Sequence, residues 1–65
     1  MIVEVNGEKL ETNSKTIEEL IDELKLQDRV MGVALNTNIV KKENWSTQKI
    51  EDNDKLELLS FVGGG

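Results

Sequence analysis

Cysteine and histidine are both missing from this 65-residue chain. Without cysteine there is neither a disulfide framework nor a thiolate metal site. Without histidine the chain lacks the commonest general base and the commonest metal ligand at neutral pH. Proline and tyrosine are absent too, and Trp45 and Phe61 are the only aromatic residues. Basic charge is scarce: eight Lys and Arg stand against thirteen Asp and Glu, a net charge of −5. That balance argues against binding nucleic acid or an anionic membrane through a basic patch, and fits a soluble protein that docks on a basic partner. No apolar run is long enough to span a bilayer, and Met1-Ile2-Val3-Glu4 has no basic n-region. Neither a signal peptide nor a transmembrane segment is therefore expected, and the expected location is the cytoplasm. A chain this short is one domain, and with no covalent staples it must fold on its apolar core alone.

Glycine is concentrated at one place. The sequence ends Ser60-Phe61-Val62-Gly63-Gly64-Gly65, an apolar run that stops on three glycines. A glycine tail has no side chain to pack and gains little from ordering. Two readings fit it. One is a frayed end. The other is a thin, mobile tail whose carboxylate enters another protein's active site.

The remainder alternates in period before it turns helical. Met1, Val3 and Val5 share one face of a first strand, and Ile2 and Glu4 share the other. Asn6-Gly7 is a two-residue hairpin turn, since both central positions need positive φ. Glu8 to Thr12 returns as a polar edge strand with only Leu10 apolar. Thr16-Ile17-Glu18-Glu19 has the form of a capping box, and Ile17, Leu20, Ile21 and Leu24 make one stripe of a helix of roughly two to three turns. Glu18, Glu19, Asp22 and Glu23 on that helix read as a solvated face, not a catalytic carboxylate pair.

Val30 to Leu35 is a third strand with Val33 and Leu35 inward and Gly32 and Ala34 opposite. Asn36-Thr37-Asn38 is a turn, Ile39-Val40 a short strand, and Trp45 a lid over one end of the core. The acids of Glu51-Asp52-Asn53-Asp54 lack the alternating ligands, central glycine and closing glutamate of an EF-hand loop, so they read as a turn with no metal. Lys55 to Val62 is the last strand, with Leu56 and Leu58 on one face and Leu59 and Phe61 on the other, as suits a central strand or one with a docking face. Strand, strand, helix, strand, short strand, strand implies an α+β domain. A mixed sheet of four to five strands packs on one main α-helix.

Those residues in that order carry a resemblance. The first strand with Asn6-Gly7, the capped helix, Val33-Ala34-Leu35-Asn36, Ile39-Val40, Trp45, Asn53-Asp54-Lys55-Leu56-Glu57-Leu58 and the terminal Gly64-Gly65 are similar to the sulfur carrier proteins of thiamine biosynthesis, the ThiS family. The resemblance covers the whole chain and implies the ubiquitin-like β-grasp fold, with residues 1–62 as the domain and 63–65 as a flexible tail. Two departures stand out: Lys41-Lys42 replaces the proline and arginine common after the short strand, and Asn53-Asp54 replaces a common Gly-Asp turn. Neither touches the tail.

The resemblance further implies a carrier, not an enzyme. Gly65 would be adenylated with ATP by an E1-like, ThiF-type adenylyltransferase and converted to a thiocarboxylate with sulfur from a sulfur-donating enzyme. It would then give that sulfur to a ThiG-type thiazole synthase for the thiazole moiety of thiamine. The carrier itself binds no cofactor, and the free chain is expected to be a monomer. Gly63 and Gly64 would thread a narrow channel without Cβ clashes. Ile2, Leu59, Phe61 and Val62 would contact the partners, with Ile2, Leu59 and Phe61 as an apolar patch beside the tail. The alternatives are a sulfur carrier for another pathway such as molybdopterin synthesis, or a ubiquitin-like protein modifier joined through Gly65.

Overall fold

A computed structural model describes residues 1–60, with Ser60 described in its backbone only. Expectations for Phe61, Val62, Gly63, Gly64 and Gly65 therefore lie outside the described residues. The chain runs β1 (Ile2–Val5), β2 (Glu8–Glu11), α1 (Ile17–Glu23), β3 (Val30–Leu35), β4 (Asn38–Val40), a 3-10 turn at Lys42–Asn44, and β5 (Lys55–Ser60). The described strands form one sheet in the order β2-β1-β5-β3-β4, so the last strand occupies the centre. β1 and β5 run parallel; every other neighbouring pair is antiparallel. This is the mixed α+β sheet expected of a β-grasp domain. Among the described residues no helix is long and apolar enough to cross a membrane.

Local sequence accounts for most of these elements. Asn6 and Gly7 take φ of 51° and 87°, the turn that a two-residue hairpin between Val5 and Glu8 requires. The second hairpin uses the same device without glycine: Asn36 and Thr37 sit at φ 49° and 74°, and Asn38 already pairs with Leu35. The turn is thus two residues long, with Asn38 the first residue of β4.

Thr16 caps α1, its hydroxyl accepting from the Glu19 N–H at 3.2 Å. The reciprocal half of the capping box is displaced by one residue: the Glu19 carboxylate accepts from the N–H of Lys15, at 2.8 Å. Trp45 and Gln48 complete the cap by offering their carbonyls to the N–H groups of Glu18 and Ile17. The N–H groups of Ile17, Glu18 and Glu19 are then all used, and Leu20 begins the regular ladder by donating to the Thr16 carbonyl. At the far end, Lys25 adopts φ 60°. Its N–H bonds to the Asp22 carbonyl and that of Leu26 to the Ile21 carbonyl, which is a Schellman closure with lysine where glycine is usual.

Ile17, Leu20 and Ile21 of α1 pack on one face of the sheet against Val3, Val30, Val33, Leu56 and Leu58, with Trp45 and Ile50 closing the end. Trp45 is 4% exposed and its indole N–H donates to the Val40 carbonyl at 2.9 Å, so the lid is both packed and polar-satisfied. Leu24 and Leu35 are half-buried at the margin. Val30 joins the core although it is three residues from Val33. A register shift between Val30 and Gly32 inserts Met31 as an extra residue against β5 and resets the alternation.

Candidate functional site: the outer face at the end of the last strand

No group of three or more acidic side chains converges as metal ligands would among the described residues. Two of the three acids of the 51–54 turn, Asp52 and Asp54, are engaged by the backbone and by Asn36. Asp54 accepts from the Glu51 N–H and from the Asn36 side chain, and Asp52 accepts from the Ile2 N–H. The one buried polar residue among those described, Thr12, is a structural knot. Its hydroxyl donates to Glu23 and accepts from the Ser14 N–H, while the Ser14 hydroxyl also donates to Glu23. Those two hydroxyls hold the Glu23 carboxyl below its ordinary value, against a smaller opposing effect of desolvation.

The feature that singles out one region is apolar exposure on the sheet face opposite the helix. Leu59 is 58% exposed, directly across from Gly32 on β3. Gly32 has no Cβ, and a Cβ built there would sit 3.4 Å from the Leu59 Cδ1, so the leucine lies across the glycine. On the same face Ala34 is opposite Ile39 of β4, which is 73% exposed. Met31, 64% exposed, sits in the bulge at the same end of the sheet. Leu59, Gly32, Ala34 and Ile39 thus form a stepped apolar surface across β5, β3 and β4, with Met31 at its border. Exposed large apolar residues gathered in one place make this face the candidate interaction surface.

Ile2 does not belong to it. It is 46% exposed and on the same outer face, but β1 is parallel to β5 and Ile2 lies level with Asn53, whose N–H bonds to the Ile2 carbonyl at 2.7 Å. Leu59 is six residues further along, roughly 20 Å away at the usual strand rise. The expected grouping of Ile2 with Leu59 is corrected accordingly: adjacency of the two strands does not bring the start of one to the end of its parallel neighbour. Of the expected patch, Ile2 and Leu59 are described and stand at opposite ends of the sheet; Phe61 and Val62 lie beyond the described residues, as do Gly63, Gly64 and Gly65.

Ile39 and Met31 were missed in the sequence for different reasons. A two-residue turn at Asn36-Thr37 fixes the register that puts Ile39 beside Ala34, so the signal was present but the turn was read one residue too long. Met31 owes its place to the bulge, which strand alternation does not reveal.

Comparison with known proteins agrees with this architecture. The profile of the ThiS family matches residues 1–65, the full chain. The sulfur carrier protein ThiS of Bacillus subtilis is 30% identical over 66 aligned positions, covering 98% of this chain and all of that protein. A thiazole synthase of Paramagnetospirillum magneticum is 39% identical over 62 residues, where 94% of this chain spans only 19% of that protein's length. Among solved structures, the thiamine biosynthesis protein ThiS of Geobacter metallireducens superposes with a TM-score of 0.81 at 30% identity over the whole of both chains. A central last strand, one capped helix on a mixed sheet, and a profile match running to the terminal glycine place the chain in the ThiS family of ubiquitin-like β-grasp proteins.

Proposed function

We propose that this chain is the sulfur carrier of thiamine biosynthesis and acts through its terminal carboxylate. It is a protein co-substrate, not an enzyme. The observation that carries the reading is the full-length family match reaching Gly63-Gly64-Gly65, with a carrier of the same length among the relatives. The chemistry follows from the poor electrophilicity of a carboxylate. A carboxylate oxygen of Gly65 attacks the α-phosphorus of ATP in an E1-like, ThiF-type adenylyltransferase, releasing pyrophosphate and leaving an acyl-adenylate. Hydrosulfide released by a sulfur-donating enzyme then attacks the acyl carbon, the acyl C–O bond breaks, AMP departs, and loss of the S–H proton leaves a thiocarboxylate. A ThiG-type thiazole synthase takes the sulfur into the thiazole ring. Each base or metal the steps need belongs to the partners.

Leu59, with Ile39 and Met31 around it, is the docking surface in this reading: apolar area at the root of the tail lets a partner hold the body while Gly63 and Gly64 pass through a channel too narrow for a Cβ. The thiazole synthase relative adds weight to that partner, since a stretch of that protein resembles this chain.

Reconstitution tests the proposal. The chain is combined with a ThiF-type adenylyltransferase, ATP, a sulfur-donating enzyme and a ThiG-type thiazole synthase with its small-molecule substrates, and thiazole phosphate is measured. Formation that depends on Gly64 and Gly65 is expected. Adenylation without thiazole formation, together with transfer to a molybdopterin synthase large subunit or to protein lysines, would assign the chain to another pathway.

A further inference from the structure

The turn residue Asn6 does more than turn the chain. β1 ends at Val5, opposite Leu56, and its backbone makes a last bond from the Asn6 N–H to the Leu56 carbonyl at 2.9 Å. Beyond that point the hairpin leaves β5. The Asn6 side chain fills the next position: its Oδ1 accepts from the Leu58 N–H at 2.8 Å and its Nδ2 donates to the Leu58 carbonyl at 3.4 Å. A side-chain amide has the same donor and acceptor as a peptide group, so Asn6 imitates one more residue of β1 and carries the pairing of β5 one step towards its end. On its other side β5 is paired with β3 as far as Ser60. Leu58 is therefore held from both sides, and it immediately precedes Leu59, the exposed residue of the docking surface.

We propose that Asn6 is a positioning residue for delivery of the terminal carboxylate. By clamping Leu58 it keeps the end of β5 in the sheet, fixing Leu59 on the outer face and the point from which the terminal segment departs. This inference rests on the carrier reading above. With the clamp lost, the partner has to order the strand end as it binds, and that ordering cost appears as weaker binding of the carrier. The chemical step on an already bound carboxylate is unaffected.

The test uses Asn6→Gly, which keeps the positive φ of the turn and removes only the amide. Asn6→Asp retains an acceptor for the Leu58 N–H but loses the donor. Two readouts are taken on the full chain: amide hydrogen exchange at Leu58, and the kinetics of ATP-dependent pyrophosphate release by the adenylyltransferase with carrier as the varied substrate. Exchange at Leu58 is expected to rise about tenfold or more in Asn6→Gly. The KM for the carrier is expected to rise about two- to tenfold with kcat unchanged, and Asn6→Asp to fall between. Leu26→Ala, which trims a half-buried side chain packed on the core, is the control for mere loss of stability and is expected to leave KM alone. If Asn6→Gly exchanges faster at Leu58 but keeps the wild-type KM, or if Leu26→Ala raises KM as much, Asn6 has no positioning role. A wild-type chain that is not adenylated at all would instead overturn the carrier reading itself.

Discussion

Replacing Leu59 by alanine tests the docking surface where the structure allows a magnitude. Complete removal of a leucine side chain from water is worth about 1.5–3 kcal/mol. Leu59 is 58% exposed. The share still available for burial against a partner therefore amounts to about 1–1.7 kcal/mol. At 1.36 kcal/mol per decade this is about a five- to twentyfold rise in KM for the adenylyltransferase. The assay is pyrophosphate release with the carrier as the varied substrate, and thermal unfolding confirms that the variant is folded. Ile2→Ala is the matched control, because Ile2 is comparably exposed on the same face at the opposite end of the sheet. An unchanged KM for Leu59→Ala, or an equal effect of Ile2→Ala, would refute the assignment of the surface.

Two further predictions concern the body of the domain. Leu20 is fully buried against the sheet, so Leu20→Ala is expected to cost about 2–5 kcal/mol, much of the stability of so small a domain, whereas Leu24→Ala at the half-buried margin costs less; urea unfolding of both variants checks the order. Glu23 has its folded pKa lowered by Thr12 and Ser14, so its contribution is fully present above its unfolded pKa and is lost as pH falls through the folded one. Glu23→Gln should accordingly unfold at lower urea than wild type near pH 7, with the gap closing through the acidic carboxylate range; a gap that stays constant with pH would contradict the cause given for the shift.

Wherever a short stretch of sequence determines a conformation, the fold was legible. Asn6-Gly7 gave the first hairpin, Thr16 with Glu19 gave the start of the helix, and the stripe at Ile17, Leu20 and Ile21 gave its buried face. The apolar run in β5 fitted either a central strand or one with a docking face, and the sheet order shows the strand to be central. What escaped depends on distant partners or on conformations that the residue types disfavour. Lys25 and Thr37 take positive φ with side chains that usually avoid it. The carbonyls of Trp45 and Gln48 cap a helix about thirty positions earlier in the chain, at Glu18 and Ile17. The parallel register that separates Ile2 from Leu59 comes from the pairing of Glu4 with Lys55 and Val5 with Leu56, a choice among registers that apolar alternation alone does not make. The terminal glycines were the plainest signal in the sequence, for a reason unrelated to packing: the proposed carrier role asks for a chain end without side chains.

Intact-protein and fragment mass spectrometry after incubation with ATP, a sulfur donor and the adenylyltransferase tests the central claim most directly. The account predicts a gain equal to one oxygen exchanged for one sulfur, localised to Gly65 and absent from a chain truncated after Gly63. No mass change, with an adenylyltransferase shown to be active on another carrier, would contradict it.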